Sequence, residues 1–295
     1  MFVVLLQEFF KSWILRSKHY LSILIALALL AGIYFLGNTN PPKPKETPMA
    51  AAAAGQAGPS RPQEASFDSL LLATKKKMPQ HVLAELMEVD KQIAQVKDSV
   101  QMVPLLEQYG HIWQEHKQLP IAAFYYSSAA KLEKSEKKLN FAARLLLELA
   151  REEHNAGVQA WEVNSAIRAF NTNLQLNPGN DTAKLGLAEC YFGTGEAMKG
   201  VALIKEILEK DPEHIQGNLM LGQQGLVSAQ YPKAQQRFET VLKKDPKNLE
   251  AMLGLAEAYK GQGQKDQAIA LLEQCKKVVN KPEFTKDVDN YIKTF

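Results

Sequence analysis

The chain is poor in the groups on which most site chemistry depends. Its 295 residues hold two cysteines, Cys190 and Cys275, and six histidines. Two cysteines so placed give no C-x-x-C metal-ligand spacing and no disulfide framework. Strong charge of one sign is also lacking. With a formal net charge of only +3, nothing argues for nucleic-acid binding driven by phosphate neutralisation. An apolar share of 46% against 23% charged residues excludes a wholly disordered chain.

Catalytic and ligand motifs are missing on closer reading too. His111 and His116 flank Glu115, but a helical zinc site of this kind needs H-x-x-E-H, which puts both ligands on one face. Here the histidines are one residue too far apart and splay. The run from Gly193 to Gly200 has the glycines of a phosphate loop without its G-K-[S/T] ending, and it follows a helical pattern instead of a strand. It reads as a turn in which Gly195 and Gly263, in equivalent places, supply positive φ. The sequence predicts no enzyme, no metal and no cofactor.

What is present begins with an uncharged apolar run from Tyr20 to Leu36. As a helix it spans roughly 26 Å, near the lower limit for crossing a bilayer. Tyr20 and the pair Tyr34-Phe35 suit the two aromatic interfaces. No small-residue cleavage pattern follows Leu36, so an uncleaved anchor over 20–37 is expected. Ahead of it, residues 1–19 carry Leu6, Phe9, Phe10, Trp13 and Ile14 at helical spacing, read either as a helix lying on the membrane or as a cytosolic tail. Lys11, Arg16 and Lys18 on the near side set the N-terminus as cytoplasmic by a modest margin over Lys43 and Lys45. In a bacterium this is a single-pass inner-membrane protein with its bulk in the periplasm.

Residues 38–66 are rich in Pro, Ala and Gly and form a flexible linker. Residues 67–102 are read as two helices, Phe67 to Met78 and Gln80 to Ser99, separated by Pro79. In the second, Val82, Leu86, Val89, Ile93, Val96 and Val100 make a short seam. It is either the face of a capping helix or a contact for a weak homodimer.

Three strings then set a period. Pro178, Pro212 and Pro246 lie 34 residues apart within Asn177-Pro-Gly-Asn180, Asp211-Pro-Glu-His214 and Asp245-Pro-Lys-Asn248. A fixed period of this size predicts a stacked-repeat architecture. With each proline as the thirty-second position, the units 181–214, 215–248 and 249–282 align. Leu187, Leu221 and Leu255 share one column, Ala188, Gly222 and Ala256 the next. Their second helices align Gly200, Ala234 and Ala268, then Ile204, Phe238 and Leu272. Two antiparallel helices approach closely only where one presents a small residue, with large apolar side chains filling the gaps a turn away.

These columns resemble the W-L-G-Y…A…F…P pattern of the tetratricopeptide repeat. Two earlier units fit: 103–136, with Tyr109, Gly110, Trp113, Ala122 and Tyr126 in register, and 137–180, with Ala166, Phe170 and Pro178. The latter is 44 residues long, and about ten extra residues around His154 to Glu162 are expected to lengthen its turn. Residues 283–295 read as a terminal capping helix that lays Phe284, Val288, Tyr291 and Ile292 on the last repeat and turns Lys286, Asp287 and Asp289 outward. The resemblance implies an all-α solenoid, a right-handed superhelix of helical hairpins over 103–282, carried by one N-terminal transmembrane helix. The layout is also similar to membrane-anchored repeat proteins of the bacterial envelope. Cys190 and Cys275 fall in different columns of repeats two apart, too far for a bridge, and are expected as two buried free thiols.

In this family the first helices line a concave face. By resemblance the partner groove here is Leu185, Glu189, Phe192, Leu219, Gln223, Leu226, Leu253 and Glu257. The Lys, Asn and Arg set with which some members clamp a terminal carboxylate is missing. What is left suits a protein or peptide segment held by apolar anchors, unless Leu185, Leu219 and Leu253 only pack between repeats. The expected role is a membrane-tethered scaffold in export, folding or assembly of envelope proteins. The other reading is a self-associating structural protein that uses the 82–100 seam.

Overall fold

The computed structural model describes residues 63–295, which form thirteen α-helices. The expectations for 1–19, the anchor 20–37 and most of the linker 38–66 lie outside the described residues. Among the described residues no helix is long and apolar enough to cross a membrane. In chain order the helices are α1 Phe67–Lys75, α2 Gln80–Gln95, α3 Ser99–Glu115, α4 Leu119–Glu133, α5 Glu136–Glu152, α6 Ala156–Leu176, α7 Asp181–Gly193, α8 Ala197–Lys210, α9 Ile215–Val227, α10 Tyr231–Lys244, α11 Leu249–Gly261, α12 Lys265–Val279 and α13 Pro282–Ile292. From α3 to α12 they pair as five consecutive hairpins, each packed on the next.

The proline strings are joints built from side-chain hydrogen bonds. The first residue of each accepts from the amide two ahead: Asn177 from Gly179 (2.9 Å), Asp211 from Glu213 (3.1 Å), Asp245 from Lys247 (3.3 Å). Proline at the second position presets φ for the turn. The fourth residue caps the next helix. Asn180 accepts from the Ala183 amide (3.0 Å), His214 Nδ1 from Gly217 (3.1 Å) and Asn248 from Ala251 (3.0 Å). Each such cap satisfies a helix-end donor and is worth about 1 kcal/mol.

The turns inside the hairpins share a second device. Lys117, Gly195, Ala229 and Gly263 all have positive φ, at 59°, 78°, 54° and 76°. The amide after each donates back to the last turn of the first helix, as in Glu196 to the Tyr191 carbonyl (2.9 Å) and Gln230 to that of Gly225 (2.8 Å). This is the left-handed helix stop that glycine favours. The positive φ expected at Gly195 and Gly263 is present, and Ala229 adopts it without glycine's freedom.

Neighbouring repeats are joined by rings set into missing side chains. A Cβ added to Gly186 would lie 2.2 Å from the Phe170 ring, and one on Gly254 2.3 Å from the Phe238 ring. Phe238 also fills the space over Gly222 in its own hairpin. Where the second helix offers Ile204 instead, the following unit supplies Met220 to the same apolar cluster.

Two expectations need correction. The extra residues of 137–180 do not lengthen its turn, which is only Glu153 to Asn155. Asn155 caps α6 by accepting from the Gly157 and Val158 amides, so helix begins at Ala156. The surplus sits in the helices, 17 residues in α5 and 21 in α6, because Trp161 and Glu162 are buried in the hairpin. The seam from Val82 to Val100 is not one helix. α2 stops at Gln95, Asp98 caps α3, and Val100 is 74% exposed on that next helix. Val82, Leu86 and Val89 are already covered by Tyr109, Ile112 and Trp113 of this chain, so they offer no dimer face. On α13, Asp289 turns outward as expected, its side chain 48% exposed, and pairs at the surface with Lys276 (2.7 Å).

The stretch before α1 lies along the lengthened α6. The Ala65 amide donates to the Gly157 carbonyl (2.9 Å), and Glu64 accepts from Asn164 (2.7 Å) and pairs with Arg168 (3.3 Å). The Phe67 ring stacks on Phe124 (centroids 3.8 Å apart) and Trp161 (5.7 Å), an arrangement that adds to plain burial. Cys190 and Cys275 are free and buried as expected. Burial pushes their thiols up, to about 12 and about 11, which makes them poor nucleophiles.

Candidate protein-binding trough

The eight groove positions from the sequence fall into three kinds of place. Leu219 is only 3% exposed and sits among Ala234, Phe238, Ala251 and Leu255, so it packs between repeats. Leu185 is half-buried against Ala188, Ile204 and Leu208. Phe192 lies over Gly200, and Glu189 forms an ion pair with Arg151 of α5. The remaining four, Gln223, Leu226, Leu253 and Glu257, come together in one cavity of about 410 Å3.

Each wall of that cavity is a first helix. α9 gives Gln223 and Leu226, α11 gives Glu250, Leu253 and Glu257, and α13 stands where the next first helix would be. The floor is apolar: Leu226 and Leu253, with Leu272 from α12 and Val288 from α13. Gly254 also lines it, with the position of its missing side chain taken by the Phe238 ring behind. The rim carries Glu250, Glu257, Asp287 and the Tyr291 hydroxyl.

Tyr291 and Lys260 form a fixed network at one end. The Tyr291 hydroxyl donates to the Glu257 carboxylate and accepts from Lys260 Nζ (2.9 Å). Lys260 also reaches Thr294 (3.2 Å) and lies over the Tyr291 and Phe295 rings, 4.1 and 4.5 Å from their centroids. Burial first, then the bond to Glu257, raises the Tyr291 pKa, so this hydroxyl stays a proton donor at neutral pH.

The sequence-based groove missed Asp287 and Tyr291. A signal for them existed. Counting the 34-residue register one unit further, from 283, puts Asp287 and Tyr291 in the columns of Leu253 and Glu257. A cap that stands in for a repeat lines the trough as a repeat would.

A second cavity, of about 530 Å3, opens where the lengthened α6 begins, between Ala156, Gln159 and Ala160 and the end of α7 at Glu189 to Thr194. At the histidines, His111 meets the Tyr126 hydroxyl (3.2 Å) and Trp113 is core. Among the described residues no group of three or more His, Cys, Asp or Glu could hold a metal ion.

A family model described as "Tetratricopeptide repeat" matches residues 158–223 and 228–284. The hairpin array is built of tetratricopeptide repeats. Among characterised proteins, the chain is 24% identical over 152 residues to Hsp70-Hsp90 organizing protein 3 of Arabidopsis thaliana, covering 52% of this chain and 27% of that one. It is 28% identical over 143 residues to the Protein CTR9 homolog of the same plant, covering 48% of this chain and 12% of that one. The chain thus spans about a quarter or less of the curated relatives it matches. A solved tetratricopeptide repeat protein from Parabacteroides merdae superposes with a TM-score of 0.51 at 18% identity, over 64% of this chain and 72% of that one. The tetratricopeptide fold therefore rests on three kinds of likeness: sequence columns, the family model and the superposed structure.

Proposed function

We propose that this protein is a membrane-tethered scaffold whose tetratricopeptide array captures segments of other proteins, in support of export, folding or assembly in a bacterial envelope. The observation that carries the reading is the apolar-floored cavity shared by α9, α11 and α13. A half-open trough with Leu226 and Leu253 at its base and a polar rim suits an extended or helical segment with apolar anchors. The matched plant protein is named for Hsp70 and Hsp90, which supports a role in holding other proteins. For the tether, the apolar run Tyr20 to Leu36 and the cationic residues before it support an inner-membrane anchor with the repeats in the periplasm. A linker of the length of 38–66 has a reach of about 30 Å, enough to keep the array near the bilayer without docking it there.

The test compares two leucines of one column. Leu253→Glu, at a half-buried site, is expected to remove partner capture in cells, read by cross-linking and mass spectrometry, with melting lowered only modestly. Leu219→Glu puts a charge in the core and is expected to unfold its repeat. Undiminished capture by the Leu253→Glu protein would overturn the trough reading. Protease added to intact spheroplasts should digest the repeats; their protection would overturn the orientation.

A further inference from the structure

Resting on the trough reading, we propose that the segment taken between α9, α11 and α13 is cationic: one or two apolar side chains on the leucine floor, flanked by lysine or arginine. The cavity presents three carboxylates, Glu250, Glu257 and Asp287, and among the described residues no lysine, arginine or histidine lines it. Glu250 and Asp287 are exposed and have no ion-pair partner among the described residues. Glu257 accepts a hydrogen bond from the Tyr291 hydroxyl, a neutral donor.

Lys260, bonded to the Tyr291 hydroxyl at one end of the trough, is already spoken for. Its ammonium is held by Tyr291 and Thr294 and covered by two rings. It therefore sits behind the rim, where it fixes the tyrosine instead of offering a site for an anion. An acidic segment or a terminal carboxylate would meet three like charges over a low-dielectric floor and be repelled. A lysine- or arginine-bearing segment meets the opposite. The floor and the rim also separate the two parts of recognition. Burial of an aliphatic anchor gives most of the affinity, and the carboxylates choose the sign of its neighbours.

The experiment uses the full chain in detergent and three fluorescent peptides of one length, each with two leucines one helical turn apart. They differ only in their flanks, which are lysine, glutamine or glutamate. Anisotropy is expected to show the lysine peptide binding about tenfold or more tighter than the glutamate peptide, with the difference shrinking as salt is raised. In the Glu250→Gln, Glu257→Gln, Asp287→Asn triple variant the order should collapse toward equality. In a Leu226→Ser, Leu253→Ser variant all three should be lost, with circular dichroism confirming that the array still melts cooperatively.

If the peptides bind alike and all depend on the two leucines, the charge proposal falls and the trough reading stands. Persistence of lysine-peptide binding without the leucines would be surface attraction only and would sink both, as would failure of all three to bind.

Discussion

The unit 137–180 and the last full repeat, 249–282, reach the same hairpin shape by opposite means. Every residue buried in α11 and α12 is apolar or glycine. The core of α6 instead takes in Glu162, Ser165 and Asn173. Asn173 is satisfied: it donates to the Glu136 carbonyl (2.8 Å) and to Asn140 (2.9 Å), and accepts from Asn180 (3.1 Å). Glu162 is 1% exposed, and one of its oxygens has no partner. The last repeat is held by shape, the long one partly by polar bonds whose strength depends on protonation and geometry. Of these two hairpins the long one is therefore the conditional one.

That contrast can be broken most severely on the regular side. Phe238→Ala should cost about 3–5 kcal/mol, because the ring fills the space above two glycines that cannot close around the void. Urea unfolding followed by circular dichroism would measure it. A loss under about 1 kcal/mol would mean that the glycine slots do not hold the repeats together.

On the long side the lever is pH. Burial first, then the Glu153 charge, raises the Glu162 carboxyl from 4.5 to about 7. A folded pKa above the unfolded one means that the folded state holds the proton more tightly. Stability from this group is complete below about pH 4.5 and is lost as pH rises through 7, by up to about 2–3 kcal/mol. Glu162→Gln, neutral throughout, should flatten that slope and stabilise the protein most above pH 7. Parallel pH–stability curves for the two proteins would show that Glu162 does not titrate in this window.

The smallest effect sharpens the comparison within the regular repeats. Ala229 stands at φ 54° where Gly195 and Gly263 stand at 78° and 76°. Ala229→Gly should stabilise by about 0.5–1 kcal/mol, a rise of a few degrees in melting temperature. No rise would mean that this turn relaxes without strain.

The register of the array was legible because its signals are local. Proline, the Asx residue before it and the cap two residues after it act within one turn of chain. The lengthened α6 was not legible, because Asn155 and Gly157 carry turn chemistry while the decision to continue as helix is made by Trp161 against Phe67 and Phe124, far away in sequence. The trough was half legible. Column counting found Leu226 and Leu253, but Leu219 has the same column and letter as Leu253 and a different fate. What sets exposure is what the next unit lays over the residue: Ala251 and Leu255 in one case, the open rim at Asp287 in the other.

The ring-and-slot joints make the repeats less interchangeable than their common length implies. A phenylalanine on one second helix needs glycine at the start of the next unit; an isoleucine there goes with methionine. Excising 181–214 would bring Phe170 against Met220 and leave no slot for the ring. Excising 215–248 would set Ile204 against Gly254 and leave a hole. The 34-residue segments are words of equal length bound by agreement between the end of one and the beginning of the next. A cut inside the hairpin lets the Phe170 ring travel with Gly186, whereas Phe238, set over both Gly222 and Gly254, ties the helices on either side of it together.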